Sequence, residues 1–197
     1  MDSDFTYRTL IWISLLVISI ISAYFYDRRR WKKLRDLADE QGGNFVRRIY
    51  IPMAQPHIRL DNDGAKVRIM MKPTSKHKSA TLSVVQFSDV GFKLRVVFKT
   101  RSRLQIPKLD GLQPVATGYS EFDEKYSVRS SDTHKAGLFF QDRDKREAVR
   151  KILVMDFDGI RISSNKIKLK KHLVDEHDLS GGQITALLEA LKQLRRS

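Results

Sequence analysis

Between Thr9 and Tyr26 the chain carries no charge, and from Phe5 to Tyr26 it reads FTYRTLIWISLLVISIISAYFY. As a helix this run would extend roughly 33 Å, against a hydrocarbon core of about 30 Å. Tyr7 and Trp12 stand toward one end, and Tyr24, Tyr26 and Trp31 toward the other, where aromatic rings with one wet edge settle at membrane interfaces. The pattern predicts a transmembrane helix over 5–26 with residues 1–4 as an external tail. A cleaved signal peptide would want a positive start and a shorter apolar stretch, whereas MDSD is acidic. Six cations follow at Arg28, Arg29, Arg30, Lys32, Lys33 and Arg35. By the positive-inside rule they predict a single-pass inner-membrane protein, N-terminus outside and C-terminal domain cytoplasmic.

Residues 27–41 continue with Trp31, Leu34, Leu37 and Ala38 at three- and four-residue spacings until Gly42-Gly43 stops the pattern. This predicts a basic juxtamembrane helix, set against lipid or packed on the domain. The period then changes to two. Val67, Ile69 and Met71 alternate with Lys66, Arg68 and Lys72; Phe92, Leu94, Val96 and Phe98 alternate with Lys93, Arg95 and Lys99. With weaker candidates at 45–51 and 57–60 and an apolar run over 82–87, they predict an antiparallel meander over 44–100. Asp61-Asn62-Asp63-Gly64 supplies a tight turn within it.

Pro107, Gly111, Pro114 and Gly118 punctuate a connection. Beyond it the pattern predicts a strand over 125–130, a short helix over 132–140, and a longer helix capped by Asp144. A hairpin over 157–171 turns at Ser164-Asn165. A last helix opens on the S-x-x-Q capping box of Ser180 and Gln183. The expected fold class is α+β: an N-terminal transmembrane helix followed by an antiparallel-sheet domain with C-terminal covering helices. Residues 42–112 form its β-meander half and 113–197 the α+β half of the same domain.

Composition narrows the chemistry. The chain has 197 residues, 41% apolar and 30% charged, which argues against a wholly disordered polypeptide. No cysteine is present, so disulfides, thiolate catalysis and Cys-ligated metals are excluded. Lys and Arg number 37 against 23 Asp and Glu, a formal charge of +14.

Four local motifs invite a catalytic or ligand reading and fall short. Asp156-x-Asp158-Gly159 matches the start of the haloacid-dehalogenase signature. Too little chain follows to supply its remaining residues and parallel sheet, and Asp-Gly reads as a turn. His172 and His177 stand in H-x-x-x-E-H, one residue longer than the inverted zinc-protease motif. Gly181-Gly182 lacks the Lys-Ser/Thr of a phosphate loop. Asp61, Asp63 and Gly64 lack the other ligands of a calcium loop. No catalytic residue, metal ligand or cofactor is assigned.

The distribution of cations is more informative. Lys66, Arg68, Lys72, Lys93, Arg95 and Lys99 occupy polar strand positions, as do Lys166, Lys168 and Lys170 opposite Ile167 and Leu169. Lys and Arg also keep sheet edges soluble, but near a bilayer each could contribute about 1 kcal/mol of attraction to anionic headgroups. The expected headgroup contacts are Arg28, Arg29, Arg30, Lys32, Lys33, Arg35, Lys93 and Arg95. Nucleic acid is the competing polyanion, but the strand aromatics Phe87, Phe92 and Phe98 are read as lying on apolar sides, which disfavours base stacking.

LADEQGGNF, DNDGAKVRI, ATGYSEFDEKYSVRSSD and KREAVRKIL occur in that order. The arrangement resembles uncharacterised bacterial single-pass membrane proteins with a β-rich middle and a "tGdp-FD-x-x-F-x-V" segment, a family of unknown function. The matching positions are Thr117, Gly118, Phe122, Asp123, Tyr126 and Val128, with Tyr126 replacing the usual Phe and Ser120 an acidic residue or proline. The resemblance implies architecture and a membrane location, and no activity. Physically, Phe122, Tyr126 and Val128 read as core contacts and Asp123 as a turn or cap residue. The expectation is a membrane-anchored, non-enzymatic binding or regulatory module, oriented on anionic lipid and serving an unidentified protein partner. The alternatives are an enzyme or enzyme accessory subunit, and a non-specific nucleic-acid binder.

Overall fold

The computed structural model describes residues 11–19, 21–22, 31–47, 55–73, 80–102, 111–172, 174 and 177–195. Nine strands form one sheet in the order β1-β2-β3-β4-β9-β8-β5-β7-β6, and every neighbouring pair is antiparallel. They are β1 (Asn44–Val46), β2 (His57–Asn62), β3 (Ala65–Pro73), β4 (Ala80–Phe87), β5 (Leu94–Phe98), β6 (Gln113–Pro114), β7 (Tyr126–Ser130), β8 (Gly159–Ser163) and β9 (Lys166–Lys171). The helices are α1 (Lys32–Glu40), α2 (Lys99–Ser102), α3 (Ser120–Lys125), α4 (Thr133–Gln141), α5 (Arg143–Val154) and α6 (Gly181–Arg195).

The expected transmembrane helix is corrected. Among the described residues no helix is long and apolar enough to cross a membrane. In that region the described residues 11–19 and 21–22 are helical. The remainder of the 5–26 segment lies outside the described residues. Among the described residues the uncharged sequence is therefore not matched by a spanning helix, and the single-pass, inner-membrane placement with its inside-outside orientation is not upheld.

The basic helix over 27–41 is shorter and differently used. α1 begins at Lys32 and buries Leu34, Leu37 and Ala38, with Trp31 just before it. Its apolar stripe joins the core of the sheet domain rather than facing lipid. Its C-terminal end is tied to α6, where Gln41 Nε2 donates to the Gly181 carbonyl at 3.4 Å and Thr185 Oγ1 donates to Gln41 Oε1 at 3.3 Å.

Period-two alternation sorts the strands into two faces. Ile58, Leu60, Val67, Ile69, Leu82, Val84, Leu94, Val96, Val128, Ile160, Ile162, Ile167 and Leu169 are buried on one of them. That face meets the apolar stripes of α1, α4, α5 and α6 in a single core. Two polar side chains cross the layer: buried Gln86 Nε2 donates to the Leu191 carbonyl at 3.1 Å, and Asn62 Nδ2 to the Leu188 carbonyl at 2.8 Å. They pin α6 across β2 and β4.

The meander ends at β4. Rather than β5, the C-terminal hairpin β8–β9 pairs with β4, through β9, while β8 pairs with β5. The N- and C-terminal halves thus interleave in one sheet. Hydrogen bonds from Ser88 N to the Asn165 carbonyl and from Val90 N to the Ser164 carbonyl seat the hairpin tip beside the β4–β5 connection. The cap of α5 is also two residues earlier than expected: Asp142, not Asp144, accepts from the backbone N–H groups of Asp144 and Lys145.

Candidate functional site

The face opposite the helices contains a row of like charge. Pairing places Arg59 opposite Arg68, Arg68 opposite Val85, Val85 opposite Lys168, Lys168 opposite Arg161, Arg161 opposite Arg95, and Arg95 opposite Arg129. One register line across seven strands therefore holds six cations and no acid. At about 4.8 Å between strands the line is roughly 29 Å long. Like charges directly opposite one another destabilise a sheet. Solubility alone does not require this arrangement, because Thr, Gln or alternating signs would serve on an exposed face. Edge protection does not account for it either, since β9, β8 and β5 are interior strands.

Partners differ along the row. Arg129 donates from Nε and Nη2 to the Leu112 carbonyl at 3.1 and 2.8 Å. Arg59 Nε donates to His57 Nε2 at 3.3 Å. The Arg68 guanidinium lies 5.7 Å from the Phe87 ring centre, a cation–π distance, and its Nε is shielded from solvent without a hydrogen-bond partner. Arg161 and Lys168 are exposed. Flanking positions add Lys66, which faces Asp61 across the β2–β3 pair, and Lys170, which faces Ser83 and Gly159.

Of the expected headgroup contacts, Arg28, Arg29 and Arg30 lie outside the described residues. Lys32, Lys33 and Arg35 belong to the α1 end of the structure, and α1 packs on the opposite face of the sheet from the row; Arg35 sits 5.3 Å from the Phe45 ring centre. Lys93 precedes β5 with the same alternation as Arg95, whose place is within the row. Among the described residues, Lys32, Lys33 and Arg35 therefore do not share the face that carries Arg95. Sequence reasoning missed Arg59, Arg129 and Arg161. Each stands at a polar position beside buried neighbours; Arg129 meets Arg95 through the β5–β7 pair, whereas the alignment of Arg161 and Arg59 with Arg95 depends on the insertion of β8–β9.

The other motifs resolve into local structure. Asp156 adopts positive φ (62°) after α5, with its N–H on the Leu153 carbonyl. Asp158 Oδ2 lies 3.4 Å from His172 Nε2, and His172 Nδ1 is 3.2 Å from Thr81 Oγ1. A Cβ at Gly181 would meet only the carboxylate end of the flexible Glu40 side chain, which lies at the positive end of α6. Buried Thr117 donates from N and Oγ1 to the Asp123 carboxylate at 2.9 to 3.1 Å, so Asp123 closes the turn before α3. Phe122, Tyr126 and Val128 are buried in the core.

A hollow of about 580 Å³ lies between α3 and α5, with Arg146 stacked 3.5 Å from the Tyr119 ring centre. Burial pushes the Tyr126 phenol at its base above the usual range, partly offset by Arg150. The shift moves the phenol further from ionising near neutral pH. Among the described residues no group of three or more His, Asp or Glu side chains is arranged to hold a metal.

No family model matches the chain, and no curated protein does so. Among solved structures, the crystal structure of the mycobacterial trehalose monomycolate transport factor A, TtfA, is similar with a TM-score of 0.48 and 12% identity. The likeness covers 83% of this chain and 91% of that one. At that level it carries no argument about what this chain does.

Proposed function

We propose that this chain is a non-catalytic binding module whose arginine-rich sheet face docks on phosphate-bearing lipid headgroups. The observation that carries the reading is the six-cation row. Its mutual repulsion has no structural benefit in the isolated domain and is relieved when an anionic surface neutralises it. Guanidinium groups bind phosphate through paired N–H donors, which suits a row containing five arginines. Lipid is favoured over nucleic acid because Phe87 is the one phenyl, tyrosyl or indole ring on this face among the described strand residues, and Arg68 lies over it. Platforms for single strands stack successive bases on exposed rings.

The test is flotation of the full chain with phosphatidylcholine vesicles, with and without phosphatidylglycerol, across salt. A gain on the anionic vesicles that fades with salt is expected, and Arg95→Gln, Arg161→Gln and Lys168→Gln together should abolish that gain. Equal flotation on both vesicles would reject lipid docking by this face. Displacement by duplex or single-stranded nucleic acid at equal phosphate would transfer the assignment to nucleic acid.

A further inference from the structure

The basic face is not uniform. Gly159 interrupts its side chains in the middle of the sheet, on the row next to the cation line, where it pairs with Lys170 on one side and Val97 on the other. A Cβ at Gly159 would come within 2.6 Å of the Val96 carbonyl oxygen and of Val97 Cγ1. The close passage of β5 therefore excludes any side chain there. The bare backbone forms the floor of a bay of about 380 Å³.

Lys168, Arg161 and Arg95 stand in line along one side of this bay. Lys170 and the Ser83 hydroxyl, opposite each other in register, form another side. At the far end stands Asp158, the lining's one carboxylate, with Oδ2 3.4 Å from His172 Nε2. The result is four cations, a hydroxyl and one carboxylate, a net positive lining, around a volume near the lower end of small-ligand sites. A monovalent surface does not require such convergence, whereas a compact dianion with several acceptor oxygens does.

We infer that this bay is a discrete site for a phosphate monoester dianion, carried by a lipid headgroup or free in solution. The inference deepens the docking proposal and rests on its premise that this face binds anions. The terminal phosphate oxygens accept from the Arg161 and Arg95 guanidinium groups and from the Lys168 and Lys170 ammonium groups. Ser83 Oγ donates to a further oxygen. A phosphodiester has one fewer ionisable oxygen and satisfies fewer of these donors.

The full chain in a nonionic detergent is titrated calorimetrically with inorganic phosphate at constant ionic strength. Saturable one-to-one binding is expected. Lys170→Gln and Arg161→Gln should each weaken it at least tenfold, while Arg59→Gln, on the same face but outside the bay, leaves it unchanged. Circular dichroism of each variant confirms that the fold is retained. Equal weakening by all three variants overturns the bay and leaves a diffuse basic surface, so docking survives alone. Absence of saturation also overturns it. Saturable phosphate binding without any gain on anionic vesicles supports the bay and rejects docking. The source is then read from vesicles of phosphatidic acid and phosphatidylglycerol at matched surface charge. Preference for phosphatidic acid assigns a headgroup, and equal binding to both assigns a soluble ester.

Discussion

Replacing Arg161 by Gln removes the middle of three adjacent cations, with Lys168 on one side and Arg95 on the other. Directly opposed side chains start about 5.5 Å apart at Cβ. In a water-like dielectric each like-charged neighbour then contributes about 0.75 kcal/mol of repulsion. Two neighbours set an upper limit of about 1.5 kcal/mol, because long side chains splay apart and exposed charges are screened. With a screening length of about 8 Å at physiological salt, roughly half of that remains. In a chain of this size 1 kcal/mol corresponds to about 2–4 °C in Tm.

Arg161→Gln should therefore raise the Tm by up to about 6 °C at low ionic strength, with a smaller gain in physiological salt. Arg161→Lys keeps the charge and should leave the Tm near its starting value. Thermal melts of the full chain in detergent, followed by circular dichroism at two salt concentrations, provide the measurement. An Arg161→Gln variant that melts at or below the parent temperature at low salt would refute the repulsion argument. Combined with the phosphate titration, the expected outcome is a more stable protein that binds its anion less well.

Three further outcomes follow from the interior. Lys171 is buried on the helix-facing side, where it reaches the Met155 carbonyl at 3.0 Å and pairs with Asp178. Lys171→Met removes the ammonium paired with that carboxylate and should cost about 3 kcal/mol in chemical denaturation; adding Asp178→Leu should restore most of it, and a loss below about 1 kcal/mol would contradict the pairing. Gly43→Ala should cost about 1–3 kcal/mol because a Cβ there meets the Arg59 carbonyl oxygen and the Leu60 side chain, whereas Gly181→Ala displaces only the mobile end of Glu40. Similar losses for both, measured in the same denaturant titration, would show that backbone approach is not what distinguishes the two glycines. Burial raises the Tyr126 phenol above the usual tyrosine value of 10.0. Its contribution is therefore intact below about pH 10 and lost as pH rises through the folded value. Tyr126→Phe should flatten the alkaline decline in Tm, and an unchanged decline would assign it to other groups.

Strand periodicity was legible because alternation is a local property: Val67, Ile69, Leu94, Val96, Ile167 and Leu169 are all on the buried face their spacing demands. The last helix and its Ser180 start were equally local, and Gln183 N–H does donate to Ser180 Oγ at 3.4 Å. Core roles for Phe122, Tyr126 and Val128 followed from apolar character alone. The cation-bearing side of each strand could be seen, but its neighbours could not. Alternation sets which face a residue takes and says nothing about which strand lies beside it.

Length and an uncharged composition likewise indicated that residues 5–26 could span a bilayer, without determining that they form a helix that does. What the sequence by itself determined is the alternation that makes one face of the sheet apolar and the other cationic, together with the turns and caps that bound its elements. Tertiary structure alone decided that β8–β9 enters between β4 and β5, aligning Arg95 with Arg161 and Lys168 and leaving Gly159 bare among them. The physical reason is that strand order is chosen by long-range packing of the buried face against α5 and α6, and the charges on the opposite face are placed by that choice.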